Sequence, residues 1–171
     1  MRILNFAEEL VKLTQKSLVF KEDTTMAKKI TVSFEVKHGL TDEDILDILT
    51  TGIEGGCSYW AMLDNTHEDW ITARNQWKEE HKNDNDPTPC YCDVAYQVMK
   101  NGKAVIFYDE EEDPHYKKPL KLTMESFING CKQYSEFCGK DIHKMIDESE
   151  FDASDADCIF QYALLGDIIY G

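Results

Sequence analysis

The segment Ser154-Asp155-Ala156-Asp157-Cys158-Ile159-Phe160-Gln161-Tyr162-Ala163-Leu164-Leu165-Gly166 constrains the fold of this chain more than any other stretch. It reads as a helix with both ends marked. Ser154 suits the N-cap, and Asp157, three residues on, suits the acidic half of a capping box. Asp155 and Asp157 put negative charge at the positive end of the helix dipole, and Gly166 suits the position just past the C-terminus. Between these ends only Gln161 is clearly polar. A helix that is apolar nearly all round belongs in the interior of a domain, and this one is too short to cross a bilayer. The expectation is a central helix with the other elements packed around it.

Those other elements can be read in order. Residues 3–20 show helical spacing of apolar side chains. Ile30 to Val36 alternates with period two, as a strand with one buried face does. Thr41-Asp42-Glu43-Asp44 opens a helix with the stripe Ile45, Leu46, Ile48, Leu49 and Ile53. Residues 66–82 predict a helix with a narrow apolar face, and Asp93–Met99 a short one. Lys103–Asp109 and Leu120–Thr123 predict strands flanking the charged tip 110–119. Thr123 then caps a helix that stops at Cys138-Gly139, and residues 140–147 suit a helical turn. Ile168–Tyr170 suits a last extended segment. Strand, helices, strand pair, helices is the order of an α+β fold: a small antiparallel sheet of about three or four strands with helices on one face around the C-terminal helix. The domain reading is an N-terminal helix or arm at 1–25 and a single α+β domain at 26–171.

Charge sets the class of partner. The chain has 171 residues, 18 basic and 33 acidic, for a net charge of −15. Residues 1–40 carry +2 and residues 41–171 carry −17. Such a surface repels nucleic acid and membranes and attracts basic protein surfaces. The sequence shows no signal peptide and no apolar run of spanning length, so a cytoplasmic protein is expected. The six cysteines then read as reduced core thiols. Cys90-Tyr91-Cys92 lacks the spacing of a zinc knuckle, and neither a metal nor a cofactor is expected.

Gly55-Gly56-Cys57-Ser58-Tyr59-Trp60 is the most unusual stretch. Ser58, Tyr59 and Trp60 could supply a hydroxyl and stacking faces to a ligand. The alternative, favoured because large aromatics are mostly core material, is that the glycines allow close packing on the central helix while Tyr59 and Trp60 fill the core. Cys57 and Ser58 are conceivable nucleophiles, but none of the five histidines stands in a local signature with either. Asp152, Asp155 and Asp157 could hold a divalent cation, although capping explains them with fewer assumptions. The candidate partner-binding residues are Asp109, Glu110, Glu111, Glu112 and Asp113, five consecutive acids at a hairpin tip, and secondarily Asp147, Glu148 and Glu150.

Glu54-Gly55-Gly56-Cys57-Ser58-Tyr59-Trp60, the Tyr108-Asp109 strand end and the block Asp155–Gly171 together resemble a group of small uncharacterised bacteriophage and prophage proteins. The resemblance runs from about residue 30 to the end. It implies a mobile-element origin and, with the charge, an anti-defence role of the anti-CRISPR kind. The expected function is a non-enzymatic inhibitor that binds the basic nucleic-acid channel of a host nuclease. The alternatives are a sponge for a nucleotide signal, using Tyr59 and Trp60, and a small hydrolase using Cys57 or Ser58.

Overall fold

The computed structural model describes residues 39–110 and 118–171. The readings of residues 1–25, of a strand at Ile30–Val36, and of Glu111, Glu112 and Asp113 lie outside the described residues.

Helix α1 (Asp42–Thr51) begins where the sequence places it. Thr41 Oγ1 accepts from the Asp44 backbone N–H at 3.1 Å, and the Asp44 carboxylate accepts from the Thr41 N–H at 2.7 Å, a closed capping box. Its stripe buries Ile45, Ile48 and Leu49. The helix runs directly into a π-helical turn, Gly52–Gly56. Strand β1 (Ala61–Leu63) follows, then helices α2 (Glu68–Glu80) and α3 (Tyr91–Lys100). Strands β2 (Val105–Asp109) and β3 (Pro119–Leu122) come next, then α4 (Met124–Cys138), the short α5 (Ile142–Asp147) and α6 (Ala153–Leu165). The fold is α+β, as expected from the order of elements. Its sheet is antiparallel, in the order β1-β2-β3, with Met62 opposite Tyr108 and Phe107 opposite Leu120. β1 is a strand that the sequence did not announce, because three residues are too few to display alternation. No helix among the described residues is long and apolar enough to cross a membrane.

The predicted central helix is α6, with two corrections. Its N-cap is Asp152 rather than Ser154: Asp152 Oδ1 accepts from the N–H groups of Ser154 and Asp155, and the Asp155 carboxylate accepts from the Asp152 N–H at 2.8 Å. A carboxylate at 152 satisfies two of the free amide donors at once, which frees Asp157 for the interior. Burial is also one-sided. Ala156, Asp157, Ile159, Phe160 and Gln161 are sealed, while Cys158, Tyr162, Ala163, Leu164 and Leu165 are half-buried. The outer side reaches the surface, where Tyr162 meets the exposed ring of Phe137 at 6.5 Å between centroids.

Glycines let α6 sit deep. At Gly130 of α4, the most extensive neighbour of α6, a Cβ would lie 2.6 Å from the Ile159 carbonyl oxygen and 2.9 Å from the Ala163 Cβ. At Gly56 it would lie 2.8 Å from the Ala153 carbonyl oxygen and 2.9 Å from the Asp157 nitrogen. The expectation that the glycine pair permits close packing on this helix holds for Gly56. Gly55 has a Cβ position 3.6 Å from Ala153, an ordinary contact. Phe160 lies over Gly52 and meets Phe107 of β2 edge-on at 6.0 Å, joining helix to sheet.

Gly130→Ala should therefore destabilise the domain by about 1–3 kcal/mol, the range for overpacking a filled interior. Urea denaturation of the single variant and of Gly130→Ala combined with Ala163→Gly checks this. The second change should restore only part of the loss, because the Ile159 carbonyl still blocks the new methyl group. Full restoration would place the conflict at Ala163 alone.

Candidate functional site

The glycine-aromatic stretch leads from α1 into β1, and its side chains part company there. Trp60 is completely buried. Its indole N–H donates to Asp157 Oδ1 at 2.7 Å, and its ring stacks on Tyr170 at 5.1 Å with 17° between planes. Tyr59 is 52% exposed, yet its hydroxyl donates to Asp157 Oδ2 at 2.9 Å. Gln161, one turn further along α6, donates to Asp157 Oδ2 at 2.8 Å and to the Tyr170 carbonyl at 2.9 Å. Its Oε1 accepts from the backbone N–H groups of both Ile169 and Tyr170 at 2.6 Å. The Tyr170 hydroxyl donates to Asp109 at the end of β2. Among the described residues no buried side-chain N or O lacks a partner.

This cluster assigns several of the expected site residues. Trp60 is core, as the packing reading held, and cannot offer a face to a base. Asp109 is a correction: it is 8% exposed and accepts from Tyr170, so it serves the fold rather than a partner. β2 carries Phe107 and Asp109 on the same, inward face, and Tyr170 supplies the donor that an inward carboxyl needs. Asp157 is likewise no cap and no metal ligand paired with Asp152 and Asp155. Ile168–Tyr170 is held by Gln161 and joins no strand.

Cys57 is buried, and burial together with the neighbouring Asp157 pushes its thiol up to about 12. A thiol so held is no nucleophile near neutral pH. Ser58 is exposed, and its hydroxyl donates to the Gly55 carbonyl at 3.4 Å with no histidine joined to it among the described residues. Partial burial and the bond to Asp157 push the Tyr59 phenol up to about 12 as well.

The cysteine reading needs a second correction. Cys90 and Cys92 form a disulfide. Cys90 is the extended N-cap of α3 and Cys92 lies in its first turn, so the change from extended to helical backbone brings the Cα atoms to 5.4 Å. Cys57, Cys131, Cys138 and Cys158 are free. The sulfurs and the Asp93 carboxylate lie within 4.8 Å of one another, the one cluster among the described residues that could hold a metal, with the disulfide reduced.

The remaining expected partner-binding acids are on the surface. Glu110 is exposed and enters no ion pair among the described residues. Asp147, Glu148 and Glu150 are exposed and stand 3.5, 3.5 and 3.1 Å from His143, Lys144 and Lys140. Exposed pairs of this kind are weak and exchange partners readily. His143 also reaches across from α5 to the buried Asp44 at 2.9 Å. The bond and charge of Asp44, with Asp147 beyond it, raise the His143 pKa. Burial alone would raise the Asp44 carboxyl, but the Thr41 amide, the His143 ring and the Thr41 hydroxyl together hold it below its usual value.

Beside β1 lies an open groove of about 420 Å³, lined in part by Ile53, Met62, Leu63, Tyr91, Glu54 and Glu110. The chain matches no protein-family model, no curated protein and no solved structure.

Two outcomes follow from this geometry. Asp157→Ala would leave the Trp60 N–H buried without an acceptor and should cost about 1–3 kcal/mol for that group alone. Chemical denaturation measures it, and Trp60→Phe in the same background should recover part of the loss. The His143–Asp44 pair predicts a pH dependence. The raised histidine contributes fully below its ordinary value of about 6.5 and progressively less as pH rises through the raised value. The lowered Asp44 contributes above its ordinary value of about 3.9 and is lost as pH falls through the lowered one. The melting temperature of wild type relative to His143→Gln should thus be highest between these limits and fall towards alkaline pH. A constant difference from weakly acidic to alkaline pH would rule the pair out as the source.

Proposed function

We propose that this chain is a non-enzymatic inhibitor, of phage origin, that binds the basic nucleic-acid-binding surface of a host defence nuclease of the CRISPR-effector kind. The observation that supports this reading is the unbalanced carboxylate surface. Within residues 41–171, 28 acids face 11 bases. Glu43, Asp47, Glu54 and Glu110 are exposed and enter no ion pair among the described residues. Carboxylates that the fold leaves unpaired are available to the lysines and arginines with which such nucleases hold phosphate backbones. Steering between opposite charges speeds association and makes it sensitive to salt. The nucleotide-sponge alternative loses Trp60, which is sealed, and keeps Tyr59, while the hydrolase alternative loses Cys57 and keeps Ser58.

The experiment is a target-DNA binding assay with guide-loaded CRISPR effectors, with and without the protein in molar excess, at two ionic strengths. Inhibition is expected, weaker at high salt. Changing Glu110, Glu111 and Glu112 together to Gln should slow association and flatten its salt dependence, with the melting temperature unchanged or slightly raised. Undiminished DNA binding by the whole panel at low salt would overturn the proposal. Inhibition by the triple variant with an unchanged salt slope would remove the tip from the interface.

A further inference from the structure

We propose that the outer edge of β1 is a docking site for an extended, cationic peptide segment of a partner protein, taken up as an additional strand. Main-chain geometry carries the first part. The Asp64 N–H donates to the Ile106 carbonyl at 2.9 Å and the Glu110 N–H to the Trp60 carbonyl at 2.7 Å, bracketing the strand. With Met62 opposite Tyr108, the alternation of an antiparallel ladder makes Met62 the residue that exchanges both bonds with β2. Ala61 and Leu63 therefore turn their main-chain groups away from β2. The Ala61 N–H is taken by the Cys57 carbonyl at 2.9 Å. Among the described residues, the Ala61 C=O and both groups of Leu63 have no hydrogen-bond partner. β3 pairs with the far side of β2, and among the described residues no strand pairs with this edge. An open strand edge is a template for another strand, and natural proteins that do not use such an edge keep it very short or block it with lysine, proline or a bulge. β1 is short, at three residues, but carries no lysine, proline or bulge.

The groove beside this edge supplies the side-chain half. Met62 and Tyr91 are each 47% exposed, and with Ile53 and Leu63 they give an apolar lining. Tyr91 is a supported wall: its ring packs against Trp70 at 5.9 Å and its hydroxyl accepts from the Asn65 amide at 3.5 Å. Among the described residues, the charged ones that line the groove are Glu54 and Glu110, both exposed and in no ion pair with another described residue. Strand addition takes affinity from main-chain bonds and specificity from pockets for alternate side chains. The occupant that fits has apolar side chains alternating with Lys or Arg. A second copy of this chain fits poorly, because it would bring Glu54 and Glu110 against their own kind. The inference rests on the reading above for the sign of the partner's charge, and its test contains no nuclease.

Fluorescence anisotropy with a labelled peptide of alternating valine and lysine measures the binding directly. Saturable binding is expected. Methylating every internal amide nitrogen of the peptide should weaken it at least about tenfold, since main-chain donors are lost. Glutamate in place of lysine should abolish it. The variant Glu54→Gln with Glu110→Gln should bind several-fold more weakly with a flatter salt dependence, and an unchanged melting temperature will show that its fold is intact. Equal binding of the methylated peptide, or of the glutamate peptide, would overturn the proposal, as would a stable dimer that the lysine peptide cannot compete. Failure to inhibit any nuclease, with peptide binding intact, would overturn the functional reading and leave this site standing.

Discussion

Asp157 accepts three hydrogen bonds from neutral donors, the indole of Trp60, the phenol of Tyr59 and the amide of Gln161, and the architecture hangs from that arrangement. A buried carboxyl group is tolerable only when its oxygens are occupied, because each unmet hydrogen bond in a low-dielectric interior is costly. Here Gln161 passes the connection on to the backbone of Ile169 and Tyr170, and Tyr170 passes it to Asp109 while its ring covers Trp60. One polar cluster thus joins the turn after α1, helix α6, the C-terminal segment and the end of β2. Gly56 makes the approach possible, since any side chain there would strike the α6 backbone beside Asp157.

The acids of this chain divide into two populations with opposite tasks. Asp44, Asp109 and Asp157 are buried and bonded, each giving direction to a packing contact. Most of the other described acids are on the surface, where like charges repel and tax the compact state. The interior has to offset that repulsion, and it does so with large side chains that are wholly enclosed: Trp60, Phe107, Phe127 and Phe160. Retaining such a surface at a cost in stability is consistent with a protein whose charge faces a partner.

Much of the fold was legible because it was written in local terms. The caps at Thr41 and Thr123, the stripe Ile45-Ile48-Leu49 and the stop at Gly139 depend on neighbours a few residues away, and each appears where expected. The hub was not legible in this way. Asp157 could be read as a cap because it sits near a helix start, and Asp109 as part of an acidic tip because acids follow it. What distinguishes them is a donor about 60 or 100 residues distant. One signal was available: Asp157 and Gln161, four apart on an otherwise apolar helix, share a face, and two polar residues on a buried face call for partners. The groove beside β1 was hidden for a different reason. A three-residue strand has no period, and an open edge is a property of the sheet rather than of any residue in it.

The separation between the two halves of the hub also governs when this domain can form on a ribosome. Trp60 meets its acceptor across 97 residues of intervening chain. As a nascent chain emerges, α1, the π-helical turn and β1 precede their partner by that full length, and the indole and the bare glycine surfaces stay uncovered meanwhile. Local helices with good caps can flicker into being earlier, but closing so long a loop must wait for α6. Until then the exposed apolar surface is of the kind that chaperones bind and that aggregates recruit. The domain is therefore assembled after synthesis of its parts rather than along with it, and the step that completes it is the arrival of Asp157 beneath Trp60.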